Sequence, residues 1–303
     1  MARLIPYLIL TLCAFPNWAQ AKLNVVTTTQ DSAAIVQAVG GEHVQVQSLT
    51  LGTRDPHFAE ATPSMIRRAH QADLLVLIGA DLEIGWLAPL LETARNGRVL
   101  PGAPGYLDLS ASALLLDKLA GPVSRAQGDV HANGNPHYWL DPRNGLRMAQ
   151  AISARLGEID PAHAGDFRAN LEAFDMQLRQ RLARWQAQLA ALKSKPVIAY
   201  HKSFVYLADT FGFRIVAEVE PKPGIPPNVA HLQQLVATIR AQKISVLIME
   251  PYYERRSAEY LARETGIKIV VLPQSVGAQP QVSTYFDLFD AIVAAFKVAG
   301  VGL

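Results

Sequence analysis

Asp73-Leu74-Leu75-Val76-Leu77-Ile78-Gly79 decides the fold class. Its apolar run has no polar alternation. That pattern suits a strand covered on both faces, as in a parallel sheet. Before it, Thr62-Pro63 opens a helix, with Thr62 as N-cap and Pro63 at the first helical position. Met65, Ile66 and Ala69 share one face of that helix. After it, Leu82 to Ala94 reads as helical, and Val99-Leu100 and Tyr106 to Leu109 are short strand candidates. Upstream, Leu23 to Thr28 is β-like, Asp31 to Val39 is a helix stopped by Gly40-Gly41, and Val44 to Leu51 is a strand ending at Gly52.

Downstream, Leu146 to Leu156 reads as a helix, and Asp160-Pro161 opens a far longer one. The helical spacing of Leu171, Phe174, Leu178 and Leu182 continues to Leu192. About 32 residues at 1.5 Å each span roughly 48 Å, well beyond the usual globular helix. Gly165 is the only Gly or Pro between Ala164 and Lys195, so one rigid rod is expected. Strand and helix signals then resume. Val197 to Tyr200, Phe213 to Val219, Ile244 to Met249 and Ile267 to Leu272 read as strands. Ser203 to Phe211, Val229 to Ala241, Ser257 to Glu264 and Thr284 to Val298 read as helices. The expected fold is α/β: two lobes with parallel sheets flanked by helices, joined by one long rigid helix. The boundaries are 22–158 for the N-terminal lobe, 159–194 for the linker helix and 195–303 for the C-terminal lobe.

The chain has 303 residues, half of them apolar and 18% charged, with a formal net charge of +2. That balance gives no pointer to nucleic acid. Residues 1–21 read as a signal peptide: Arg3, a short apolar run from Leu4 to Phe15, and Ala19-Gln20-Ala21 as the cleavage site. Cleavage after Ala21 would remove Cys13, the only cysteine. A metal site in the exported protein would then be built from His, Asp and Glu.

Two corners place a histidine directly after a proline: Arg54-Asp55-Pro56-His57-Phe58-Ala59-Glu60 and Asn135-Pro136-His137-Tyr138-Trp139-Leu140-Asp141-Pro142. Proline fixes its own φ and restricts its neighbour, so such a histidine loses less freedom on binding. A third, His201, ends the apolar run Pro196 to Tyr200. Ligands of parallel α/β sheets sit beyond the carboxyl ends of the strands, where His57, His201 and Glu250 fall. His57, His137 and His201 are therefore the candidate ligands of one zinc ion held between the lobes. Three neutral imidazoles leave the ion's charge uncompensated, so Glu250, Asp287, Glu60 or water are candidates for a fourth position. His43, His70, His163 and His231 read as structural or surface residues. His131, in the Gly-, Pro- and Asn-rich loop 121–136, could gather metal. Three histidines with an open position would also suit a zinc hydrolase, but neither H-E-x-x-H nor G-x-S-x-G occurs.

The pieces Asp55-Pro56-His57 with Glu60, Thr62-Pro63-Ser64, Ala72 to Val76, Asn135 to Pro142, His201 with Phe204 and Tyr206-Leu207, and Glu220-Pro221 resemble one family. It is the zinc- and manganese-binding solute-binding proteins of bacterial ABC-type metal uptake systems, and the resemblance covers nearly the whole mature chain. It implies a non-enzymatic, periplasmic protein, expected to be a monomer, that delivers a buried metal ion to a membrane permease. It carries the ligands onto His57, His137 and His201, with histidine at the third position pointing to zinc rather than manganese; manganese or iron in the same fold is the alternative cargo. Two departures stand out. Ser283 occupies the place of a frequent aspartate before a Ser/Thr-Tyr pair, and loop 121–136 holds only His131 where zinc-type members often have a His-rich loop.

Overall fold

The computed structural model describes residues 21–119 and 131–301. The first unit runs β1 (Leu23–Thr27), α1 (Gln30–Gly40), β2 (Val44–Ser48), α2 (Pro63–Gln71), β3 (Leu74–Leu77), α3 (Leu87–Ala94) and β4 (Tyr106–Asp108). Next come α4 (Pro142–Ile159) and the long α5 (Ala164–Gln188). The second unit is β5 (Pro196–Ala199), α6 (Val205–Phe211), β6 (Arg214–Glu218), α7 (Val229–Gln242), β7 (Val246–Met249), α8 (Arg256–Thr265), β8 (Lys268–Val271) and α9 (Tyr285–Val298). Each unit has one parallel four-stranded sheet, ordered β2-β1-β3-β4 and β6-β5-β7-β8. The two orders are the same topology repeated. In both, the chain starts at an inner strand and reverses its direction of growth beside it, which leaves a crevice at the carboxyl ends.

The decisive apolar run behaves as its pattern requires. Every residue of β3 is buried, with one face on α2 and α3 and the other on the central core. Thr62 caps α2 through the Met65 N–H, and Pro63 takes the first turn. The helix expected from Leu82 starts only at Leu87. Glu83 is the reason: its carboxylate accepts the Ile78 and Gly79 N–H groups at 2.9 and 3.0 Å. That holds Gly79, Ala80 and Asp81 at positive φ in a turn. Val99 lies in a 3-10 turn rather than a strand, because Asn96 caps Arg98 locally.

The long rod is present, with its ends tightened. Pro161–His163 and Ala190–Leu192 are 3-10 turns, and the α-helical part has 25 residues, or roughly 38 Å at 1.5 Å per residue. It buries Phe167, Phe174, Leu178 and Trp185. One apolar core runs from Val25 and Ile35 through this helix to Phe289 and Phe296, so the lobes share a packed middle layer. Close approach there requires two glycines. A Cβ on Gly52 would lie 1.9 Å from the Val276 carbonyl, and one on Gly145 would lie 2.4 Å from the Tyr285 hydroxyl. Among the described residues, no helix is long and apolar enough to cross a membrane.

Candidate metal centre

The two Pro-His corners are built by one local device. The Asp55 carboxylate reaches past Pro56 and accepts the His57 backbone N–H at 3.0 Å and its ring Nδ1–H at 2.7 Å. The Asn135 amide oxygen reaches past Pro136 and accepts the same two groups of His137 at 3.0 and 2.9 Å. Asp and Asn side chains that accept from the backbone two residues on are turn formers, and the intervening proline stiffens the turn. His201 follows β5, and its Nδ1 lies 2.7 Å from Glu220 Oε2 just beyond β6. Each Nδ1 faces an oxygen acceptor and so carries the ring proton. Each Nε2 is left as the nitrogen with a lone pair to give.

The fold gathers all three rings. One ligand nitrogen from each of His57, His137 and His201 lies within 4.8 Å of the others. Ring centroids are 5.0 Å apart for His57–His137, 5.9 Å for His57–His201 and 5.5 Å for His137–His201. The residues are 7%, 2% and 4% exposed. Tetrahedral zinc with Zn–N near 2.0–2.1 Å needs ligand nitrogens about 3.4 Å apart, a spacing inside that limit. His137 Nε2 is buried without a hydrogen-bond partner, a costly arrangement for a polar atom with no ligand to meet. The scaffold around the rings is stiff. The Trp86 indole donates to the Pro56 carbonyl at 3.0 Å, and the Trp139 indole, packed on His137, donates to the Gln274 carbonyl at 2.9 Å.

The electrostatics favour a cation. Burial, then the neighbouring His57, His201 and His131, holds the His137 pKa well below the ordinary histidine range, so this ring stays neutral. For His201 burial alone would lower the pKa, but the Glu220 hydrogen bond and the charges of Glu250, Glu220 and Asp55 outweigh it and raise it. Burial alone would raise Asp55, yet hydrogen bonding to His57 and the charges of His57 and His201 bring it below the carboxylate range. Asp55 and Glu220 thus place a carboxylate directly behind the His57 and His201 rings.

The fourth-position candidates separate clearly. Glu60 is exposed. Asp287 is committed to a capping box at the start of α9, accepting from the Thr284 and Ser283 N–H groups. Ser283 is exposed and donates to Asp287, far from the chemistry expected at that place. Gln274 does reach the neighbourhood, its carbonyl accepting from the Trp139 indole beside His137. Glu250 is fully buried at the end of β7, and one oxygen takes the Ser203 hydroxyl while the other has no hydrogen-bond partner. Burial pushes its pKa up to about 7. It lies outside the 4.8 Å group.

His131 brings its ring to 5.3 Å from His57; residues 121–130 of its loop lie outside the described residues. The remaining histidines are engaged elsewhere. His43 stacks on His163 at 3.9 Å and pairs with Asp166, His163 pairs with Asp160, His70 bonds the Ala94 carbonyl, and His231 bonds the Glu218 carbonyl. The roles that the sequence pattern did not reveal are those of Asp55, Asn135 and Glu220, the partners of Nδ1. Asp55 and Asn135 could have been found, because each stands directly before a Pro-His, two places before the histidine.

Comparison with known proteins places the chain in one family. The model of the family described as the periplasmic component A of the zinc-uptake complex matches residues 25–299. The iron-binding protein YfeA of Yersinia pestis is 28% identical over 294 residues, covering 92% of this chain and 86% of that protein. The zinc-binding lipoprotein AdcA of Streptococcus pneumoniae is 26% identical over 268 residues, covering 88% of this chain but only 52% of that longer protein. A solved structure of ZnuA shares the fold with a TM-score of 0.75 at 24% identity, covering 93% of this chain and all of that one. The family is one of binding components, not enzymes, which sets the hydrolase reading aside.

Proposed function

Because the chain belongs to the family of periplasmic components of the zinc-uptake complex, we propose that it captures one zinc ion on His57, His137 and His201 and delivers it to an ABC-type permease. It would do so in the periplasm as a monomer, after cleavage following Ala21. One observation carries the reading: three buried imidazoles converge, each with Nδ1 held by a side-chain oxygen. Nitrogen donors without a carboxylate in the set suit zinc better than manganese or magnesium. A second reading, iron or manganese as cargo, draws on the name of the Yersinia relative.

The test is titration of the metal-free protein with zinc against a chromophoric competitor. One tight site is expected, and His57→Ala or His201→Ala should weaken it by orders of magnitude. Wild-type affinity in both variants would sink the ligand assignment. Metal content of protein isolated from its own periplasm separates zinc from iron and manganese, because affinity order alone follows the Irving–Williams series.

A further inference from the structure

Asp55 and Asn135 do the same work at Nδ1, yet one is charged and the other is not. A carboxylate would serve His137 equally well as acceptor. The second half of the Asn135 amide explains the difference. Its Nδ2 donates to the Lys202 carbonyl at 2.7 Å, across 67 residues of sequence, and Lys202 is bonded to His201. The Asn135 carbonyl accepts the Tyr206 hydroxyl at 2.6 Å, and its N–H donates to the Leu116 carbonyl at 2.9 Å. Tyr206 is itself buried and takes the Leu116 N–H at 2.9 Å. All four polar groups of Asn135 are therefore spent, two on the segment that carries His201. Only one orientation of the amide satisfies both an N–H at Oδ1 and a carbonyl at Nδ2.

We propose that Asn135 is a positioning residue that couples His137 to the His201 segment, and that metal affinity depends on its amide donor as well as its acceptor. The inference rests on the ligand assignment proposed above. Through this amide, the corner after the N-terminal sheet and the strand-end histidine of the C-terminal sheet move as one piece.

Asn135→Asp separates this from electrostatics, because the two accounts predict opposite signs. The substitution keeps an oxygen acceptor at Nδ1 and adds negative charge near a cation, which by Coulomb attraction alone would tighten binding. It also sets a carboxylate oxygen against the Lys202 carbonyl, acceptor facing acceptor, and so breaks the coupling. Zinc is titrated into the full mature chain against a chromophoric competitor, with metal-free melting as the check on folding. Asn135→Asp is expected to weaken zinc binding about 10- to 100-fold, the usual effect of losing a group that orients a ligand. The visible spectrum of the cobalt-loaded variant should lose intensity as the tetrahedral set opens. Tyr206→Phe, which loosens Asn135 from the other side, should shift affinity in the same direction by a smaller factor, and it decides the matter if Asn135→Asp does not fold. Zinc affinity equal to or tighter than wild type in the folded variant overturns the proposal. Failure of the wild-type chain to bind zinc at all would instead defeat the ligand assignment.

Discussion

The Asp31 carboxylate, in the first turn of α1, accepts the hydroxyl of Ser275 from the other lobe, and its second oxygen accepts the Val276 N–H at 2.9 Å. The group is fully buried. A buried carboxylate is tolerated only with partners, and here both partners come from the opposite sheet's loop. Beside it, Gly52 donates its N–H to Gln30 Oε1 at 2.6 Å and faces the Val276 backbone. The lobes are thus latched by polar contacts at this edge as well as by the shared core.

The latch has a pH signature. Burial pushes the Asp31 pKa up to about 7, against the hydrogen bonds from Ser275 and Val276. The unfolded value is near 3.9, so between about pH 4 and pH 7 the folded state holds the extra proton. Its contribution to stability is therefore full at low pH and is lost as pH rises through about 7. Asp31→Asn keeps the shape without the titration. The melting temperature of the variant relative to wild type should rise by several degrees from pH 5 to pH 8. A difference that stays flat with pH would contradict the assignment.

Gly52→Ala probes the same edge sterically. The added Cβ would meet a backbone carbonyl at 1.9 Å, and backbone cannot rotate away as a side chain can. Overpacking of this kind costs about 1–3 kcal/mol. Thermal or urea unfolding should show that loss, whereas Gly97→Ala, with nothing within 4 Å of its Cβ, should change stability far less.

The fold was legible because its signals are local. The unbroken apolar run of β3, Thr62-Pro63 at α2 and the uninterrupted helical spacing through Phe174 and Leu178 each reflect short-range physics, and each appears where the pattern puts it. The start of α3 was not legible, because Glu83 diverts the chain by bonding to N–H groups upstream of itself. The histidine triad was legible from two Pro-His corners and a strand end. The carboxylate behind His201 was not: Glu220 reaches it across 19 residues, a pairing set by the adjacency of β5 and β6. Asp287 misled for the converse reason: its place at N3 of a helix is a capping position, and capping consumes it.

Trp185 should be the most costly single truncation on the long helix. Its ring stacks on Phe289 at 5.0 Å, and its indole donates to Asp290 Oδ1 at 2.7 Å, joining α5 to α9. It is fully buried. Trp185→Ala should cost about 3–5 kcal/mol, the usual range for emptying an aromatic site. Trp185→Phe keeps most of the packing and forfeits the hydrogen bond, and Asp290 retains Arg181 at 2.6 Å, so a loss of about 1–2 kcal/mol is expected. Equal losses in the two variants, read by chemical unfolding, would show that packing is not the larger part.

His131 bears on how the ion arrives. Its ring lies 5.3 Å from His57, about as close as the three convergent rings lie to one another. Yet its nitrogens fall outside the set within 4.8 Å, and it is only partly buried. A fourth imidazole at the edge of a buried site can take a hydrated ion early and pass it inward without holding it at equilibrium. His131→Ala should therefore slow zinc association in stopped-flow mixing several-fold while changing the dissociation constant by less than about 3-fold, since a group that leaves the bound state unaltered shifts no equilibrium. A loss of affinity of about 100-fold would instead make His131 the fourth ligand, with the ring moving inward on binding.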